Sequence, residues 1–190
     1  MSDFKDRHFS GQVILWTVRW YWKPGWASSW QVDETYIRVK GRWMYLYRAI
    51  TDSGETVDFY LSTTRNTKAA KRFLSKALRS IKSYNHPATL NTDKDKAYIP
   101  AIRALKKEGI SPPDIQHRQV KYMNNRVESD HGKLKRLIIA VRGFQSKRTA
   151  YETIKGFEVM RMFRKGQFER WCYGRGIAGE VCLIERQFTF

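Results

Sequence analysis

The sequence is poor in the residues that usually build metal centres from sulfur and imidazole. Only two of its 190 residues are cysteine and four are histidine. Cys172 and Cys182 have no CxxC spacing and no histidine cluster beside them. A zinc site is therefore not predicted, and both thiols are expected to be reduced, as in a cytosolic protein.

Long apolar runs are also missing. No stretch approaches the roughly 18 residues that a membrane-spanning helix needs, and the chain begins with Asp3 and Asp6 instead of a basic segment followed by an apolar one. Neither a membrane partner nor an export signal is predicted, so the expected location is the cytoplasm.

Acidic residues are scarce relative to basic ones. Asp and Glu number 18 against 36 Lys and Arg, which gives a formal net charge of +18. Such an excess predicts a polyanionic partner, of which nucleic acid is the natural example. Charge selects the partner and not the chemistry, so a ribosomal-type or simply basic soluble protein stays an alternative at this point.

Length and patterning predict one compact α/β domain with small extensions, since 42% of the residues are hydrophobic. Residues rich in Val, Ile, Tyr and Thr predict three antiparallel strands joined by turns at Lys40-Gly41 and Asp52-Ser53-Gly54. The predicted strands are 30–39, 42–51, 55–62, 88–91 and 114–119. The predicted helices are 8–22, 66–83 with Asn66 as cap, 96–108, 124–141 and 149–164.

The helix over 124–141 has the most informative pattern. Its apolar stripe should pack inward and consists of Val127, His131, Leu134, Ile138 and Val141. Glu128, Gly132 and Lys135 follow the same spacing one position later, so they are expected along the edge of that stripe. A carboxylate and a cation two turns apart would then face outward from one helix.

Two other acidic residues occupy different local settings. Asp33 lies within the first predicted strand, and Asp93 follows the short strand 88–91. Each has a structural alternative: Asp33 could be an exposed strand residue, and Asp93 could cap the next helix, as Asp95 equally could. Strand alternation predicts that Glu34 points away from Asp33, so that only one of the two can join a site.

Glu128 has alternatives of the same kind. It could form a surface ion pair with Arg126 or Lys135, and Asp130 is a nearby rival carboxylate. His131 falls on the apolar stripe, which favours a packing or supporting role over a direct one.

The three acids and their spacing resemble the DDE triad of transposases and integrases. Thirty-four residues separate Asp93 from Glu128, and Lys135 follows the Glu by seven. The segments WQVDETYIRVKGRWMYLYRAITDSGETVDFYLSTTRNTKAA, NTDK, HRQVKYMNNRVESDHGKLKR and TAYETIKGFEVMRMFRKGQ look like the bacterial transposases of the insertion sequence six family. The resemblance implies an RNase H-like fold, with a mixed five-stranded sheet flanked by helices.

This resemblance implies DNA strand cleavage and transfer, with Asp33, Asp93 and Glu128 as catalytic and metal-binding residues. Two Mg²⁺ (or Mn²⁺) ions are expected, because in-line displacement at phosphorus is commonly served by a metal pair and hard cations take oxygen ligands. The implied partners are the terminal inverted repeats, target DNA and further copies of the chain, at the bacterial nucleoid. The cations expected on DNA phosphates are Lys135, Arg126, Lys133, Arg136 and Arg142.

The likeness departs at the N-terminus, where the family carries a helix-turn-helix region before the first Asp. We therefore expect a remnant segment and linker over 1–29, the catalytic domain over 30–165 and a tail over 166–190. Loss of end recognition would leave an impaired transposase. The alternatives are a non-transposing derivative that binds DNA or joins other subunits, and a structure-selective nuclease on the same fold.

Overall fold

A computed structural model describes residues 27–119, 125–140 and 143–165. The strands are β1 (Ser29–Val39), β2 (Arg42–Thr51), β3 (Thr56–Ser62), β4 (Thr89–Thr92) and β5 (Gln116–Gln119). The α-helices of this part are α1 (Thr67–Arg79), α2 (Tyr98–Lys107), α3 (Asn125–Ala140) and α4 (Lys147–Arg164), and a 3₁₀ turn spans Ser83–Asn85. The helix predicted over 8–22 and the tail over 166–190 lie outside these residues.

The five strands form one mixed sheet in the order β3-β2-β1-β4-β5. β1, β2 and β3 are antiparallel neighbours, as the predicted meander requires. β4 and β5 join on the other side of β1 and run parallel to it and to each other. The predicted mixed five-stranded sheet is thus confirmed.

The turn between β1 and β2 follows from its two residues. Lys40 and Gly41 both have positive φ, at 48° and 74°. Two-residue hairpin turns of type I′ need positive φ at both central positions, and glycine adopts it without steric cost. The turn fixes the register that places Asp33 opposite Arg48.

α1 and α2 cover one face of the sheet. Asn66 caps α1 as predicted, since its side chain accepts a hydrogen bond of 2.9 Å from the backbone N–H of Ala69. α2 begins at Tyr98, two residues later than expected, so Pro100 lies in its first turn. N–H groups of the first turn have no partner within the helix, so the missing N–H of proline costs no hydrogen bond there. The core on this face includes Trp30, Val32, Ala49, Phe73, Leu74, Leu78, Leu90, Ala101 and Leu105.

α3 contacts β1 through the predicted apolar stripe. Val127, His131, Leu134 and Ile138 are buried, whereas Val141 lies outside the described residues. Asp130 of α3 pairs with Arg48, which stands opposite Asp33 across β1 and β2. Directly opposed residues share a face of the sheet, so α3 lies on the face that carries Asp33.

The chain divides into two compact units, one over 24–151 and one formed by 1–23 together with 152–190. All five strands and α1 to α3 belong to the first unit. The predicted division at residues 29 and 165 stays a prediction. Among the described residues, no helix is both long and apolar enough to cross a membrane.

Candidate active site: an acidic cluster beside strand β1

Two of the three predicted acids are brought together by the pairing of β1 with β4. These strands are parallel, and Val32 pairs with Thr92. Asp33 and Asp93 each come one residue after that pair, so Asp33, within β1, lies beside Asp93, which follows the end of β4. A residue at the carboxyl end of a parallel strand is a common position for ligand-binding side chains.

Glu34 joins the same cluster, which the sequence did not predict. One carboxylate oxygen each from Asp33, Glu34 and Asp93 lies within 4.8 Å of the others. The expectation that only one of the neighbouring pair could reach the site was wrong. β4 ends at Thr92, so β1 has no β4 partner from Asp33 onward, and the longer Glu34 side chain reaches toward Asp93 from the other face.

Two side-chain contacts hold Glu34 in place. The Tyr98 hydroxyl donates a hydrogen bond of 2.7 Å to Glu34 Oε2, and the guanidinium of Arg65 forms an ion pair with Glu34 Oε1. Arg65 also lies 2.9 Å from Asp95 and 3.5 Å from Asp93. One guanidinium thus connects three carboxylates from β1 and from the loop after β4.

The loop after β4 separates the roles of its two aspartates. Asp95 Oδ1 accepts a hydrogen bond of 2.8 Å from the Ala97 N–H, just before α2. Asp93 Oδ1 accepts from the Asp95 N–H at 3.1 Å. α2 has no side-chain cap, because its N-cap position is Ala97. Asp93 therefore shapes the loop and does not cap the helix.

The electrostatics of the cluster are unfavourable for charged carboxylates. Burial, then the neighbouring charge of Glu34, raises the pKa of Asp33 from 3.8 to about 7, against a backbone hydrogen bond that lowers it. The charges of Asp93 and Glu128 raise it further, although Glu128 is not one of the described carboxylates that lie within 4.8 Å of one another. Burial also raises the pKa of Glu34, while the Tyr98 hydrogen bond lowers it.

α3 presents its two acidic residues differently. Glu128 is exposed, whereas Asp130 is buried, with its Oδ2 2.5 Å from Arg48 Nη2. The rival carboxylate is thus occupied in an ion pair with the sheet. His131, also buried, places Nδ1 3.4 Å from Asp33 Oδ2, which fits the supporting role expected for it.

The outer edge of α3 continues past Glu128 as predicted. Gly132 is exposed, and a Cβ built there meets nothing within 4 Å. Lys135 is half-buried, with its Nζ 5.1 Å from the centre of the Tyr36 ring. Lys133 and Arg136 are exposed on the same helix. The side chain of Arg126 and the whole of Arg142 lie outside the described residues.

Sequence reasoning missed the groups that hold the acids in position. Arg65, Tyr98 and Arg48 lie 31, 64 and 14 residues after Glu34, and no periodic pattern links such distances. The signal that was available for Glu34 is its place next to Asp33 in a strand whose parallel neighbour is only four residues long.

Comparison with known proteins gives sequence relatives over most of the chain. A family model described as a DDE domain, of the IS240 transposase type, matches residues 27–167. The transposase of the insertion sequence-like element IS431mec from Staphylococcus aureus is 34% identical over 157 residues, which cover 82% of this chain and 67% of that protein. The S. aureus transposase of IS257 in transposon Tn4003 matches equally. An uncharacterized Yersinia pseudotuberculosis protein is 51% identical over 82 residues, 43% of this chain and 77% of its own.

Solved structures match in fold. The catalytic core domain of BIV integrase superposes with a TM-score of 0.52 at 16% identity, over 70% of this chain and 81% of that one. A chain of the simian T-cell lymphotropic virus intasome in complex with PP2A regulatory subunit B56 gamma gives 0.54 at 18% identity, over 72% of this chain and 49% of its own. The RNase H-like fold that the family resemblance implies, with its mixed five-stranded sheet, is confirmed.

Proposed function

Because this chain belongs to the DDE domain family of insertion-sequence transposases, we propose that it cuts and joins DNA strands by metal-dependent phosphoryl transfer, with Asp33, Asp93 and Glu128 as the catalytic acids. The observation that carries the proposal is the convergence of Asp33 with Asp93 at the end of β4, where the charge of Glu128 also reaches. The proposed substrates are the terminal inverted repeats of an element and a target DNA.

The residues present suit a hard divalent cation. Carboxylate oxygens are the ligands that Mg²⁺ and Mn²⁺ prefer, and the pKa of Asp33 is raised by burial first and then by the neighbouring charge of Glu34. We propose that Asp33, Asp93 and Glu128 would together hold two such ions. Such ions, when bound, would make the attacking oxygen more nucleophilic and stabilise charge on the leaving oxygen.

The surrounding residues have supporting roles in this proposal. His131 orients the Asp33 carboxylate from the buried side of α3, and the ion pair of Asp130 with Arg48 fixes the helix that carries Glu128. Exposed Lys133 and Arg136 are available to phosphates near the scissile bond. Fixed positions matter because misplacement of reacting groups by about 1 Å can cost a hundredfold in rate.

DNA as the polyanion is supported by the formal net charge of +18. We further propose that several copies of the chain assemble on one DNA complex, as the resemblance to the insertion sequence six family implies. Light scattering on complexes with repeat DNA tests this part, and a mass corresponding to one copy per DNA end with no larger species would contradict it.

The direct test is an assay of nicking and strand transfer with Mg²⁺ or Mn²⁺. Asp33→Asn, Asp93→Asn and Glu128→Gln should each lower the rate at least about a hundredfold, because each removes a charged oxygen ligand where charge develops. Asp114→Asn serves as the control, since Asp114 is an exposed acid just before β5, away from the cluster. Unchanged activity in the three site variants would refute the proposal.

A further inference from the structure

Two aromatic rings stand exposed on the β1–β2 hairpin. Tyr36 is 56% and Trp43 54% exposed, and the rings meet edge to face with their centres 5.1 Å apart. Large aromatic side chains are usually buried, so a pair of them in solvent indicates a binding surface more than a packing element.

A cation adjoins each ring. Lys135 Nζ lies 5.1 Å from the centre of Tyr36, and the Arg38 guanidinium carbon lies 5.2 Å from the centre of Trp43. The order along this surface is therefore cation, ring, ring, cation. We call Tyr36, Trp43, Lys135 and Arg38 the aromatic–basic patch.

The patch lies a short way from the acidic cluster along two separate elements. Tyr36 follows Asp33 by three residues on β1, which is about 10 Å along a strand. Lys135 follows Glu128 by seven residues on α3, which is about 10 Å along a helix. A nucleic-acid strand with a phosphate at the cluster would bring nucleotides within about three positions of it to the patch, since even the 3.4 Å rise per nucleotide of B-DNA spans about 10 Å in three steps.

We propose that the aromatic–basic patch is a stacking platform for unpaired bases of the DNA strand that is cut or joined at the acidic cluster. The rings offer π-faces to bases, and the two cations offer charge to the adjoining phosphates, which is how sequence-tolerant single-strand sites are built. The inference rests on the proposed function, because the cluster defines where the reacting phosphate lies.

Charge decides between DNA and a second copy of this chain as the occupant. A patch that carries Lys135 and Arg38 in a chain of net charge +18 would meet like charge if it paired with itself, and like charges brought together in an interface disfavour association. A polyanion with aromatic bases matches both features of the patch.

The test measures binding to a duplex with a single-stranded extension, in EDTA so that no cleavage occurs. 2-Aminopurine placed two to five nucleotides from the junction reports stacking as loss of fluorescence. Tyr36→Ala and Trp43→Ala should each weaken binding of the extension by about five- to 150-fold, the range for loss of one stacked base, and restore the fluorescence. Affinity for blunt duplex should change less than twofold.

The chain offers a matched control in Tyr84. Tyr84 is 68% exposed with Lys82 Nζ 5.4 Å from its ring, so it has the same chemistry. It precedes β4, whereas the acidic cluster follows the other end of that strand. Tyr84→Ala should leave binding of the extension unchanged, and Tyr36→Phe should retain it because the ring is kept.

The outcomes separate this inference from the proposed function. If the wild-type protein cleaves DNA and depends on its three acids, but Tyr36→Ala and Trp43→Ala bind the extension as tightly as wild type, the platform is wrong. It is equally wrong if these variants change only the protein's oligomeric mass without DNA. If the variants bind the single-stranded extension more weakly and the wild-type protein never cleaves DNA, the stacking platform is supported and the catalytic proposal fails.

Discussion

Arg48 and Asp130 form a buried ion pair across 82 residues of sequence, with 2.5 Å between Nη2 and Oδ2. The pair ties β2 to α3 on the face of the sheet that carries Asp33. Since Glu128 lies on the same helix half a turn earlier, this contact also anchors the helix segment that carries Glu128.

Breaking this pair should cost far more stability than removing the exposed acid beside it. Asp130→Ala leaves a buried guanidinium without this carboxylate, so the free energy of unfolding should fall by about 3–5 kcal/mol. Glu128→Ala, at an exposed position, should change it by less than about 0.5 kcal/mol while removing activity. Urea unfolding checks both, and equal losses in the two variants would contradict the structural role of Asp130.

The Tyr98 hydroxyl should support metal binding through Glu34. Tyr98→Phe removes the 2.7 Å hydrogen bond and should lower the free energy of unfolding by about 1–2 kcal/mol. It should also weaken Mn²⁺ binding, because Glu34 lies within 4.8 Å of Asp33 and Asp93 and loss of that bond, by raising the pKa of Glu34 further, removes negative charge from beside the ions. Thermal unfolding and Mn²⁺ titration measure the two effects. Tyr84→Phe, at an exposed ring, is the control and should change neither.

Stability of the metal-free protein should fall as the pH rises from about 4 to 7. Over this range folded Asp33, with its pKa raised to about 7, keeps a proton that the unfolded chain releases near 3.8. The difference between wild type and Asp33→Asn isolates the effect, which is on the order of 4 kcal/mol. A constant difference across the range, measured by urea unfolding, would show that Asp33 titrates normally.

Divalent cation affinity should show the opposite pH dependence. A ligand carboxylate must lose its proton to bind a cation, so the apparent affinity for Mg²⁺ should rise about tenfold per pH unit below 7 and level off above it. Calorimetric titration between pH 5.5 and 8.5 checks this. A flat profile would mean that Asp33 is not among the ligands.

Salt dependence should identify the cations of α3 that meet phosphate. Lys133→Ala and Arg136→Ala should each reduce the slope of log affinity against log salt by about 0.9, because each removes one phosphate contact. Lys107→Ala, an exposed cation on α2, is the control for net charge. Equal slopes for all three variants would indicate general attraction without contacts by α3.

Long strands and helices were predicted well because the spacing of their hydrophobic residues repeats several times along the element. The expected strand over 42–51 is confirmed, with its dense β-branched and aromatic residues. Four of the five residues of the predicted stripe of α3 are buried, and Val141 lies outside the described residues. β4 and β5 have four residues each, too few for a period, and their bounds were displaced by one or two residues.

Only the part of the site that follows from the order and direction of the strands could be predicted from the sequence. The placement of Asp93 after β4 follows from strand order, but the reach of Glu34 into the cluster depends on where β4 ends opposite β1. The contacts of Arg65 and Tyr98 bring together residues from three separate segments, and no local pattern encodes them. The catalytic roles of the three acids stay predictions.

Gly132 leaves α3 without a side chain at an exposed position between Glu128 and Lys135. Glycine inside a helix costs about 1 kcal/mol relative to alanine, and no atom of the described residues requires a glycine here, since an added Cβ meets nothing within 4 Å. The space left by the missing side chain opens to solvent, so it is available to a bound molecule. For the proposed DNA substrate, the missing side chain at Gly132 would leave room for a duplex to approach Glu128 and Lys135 without first bending.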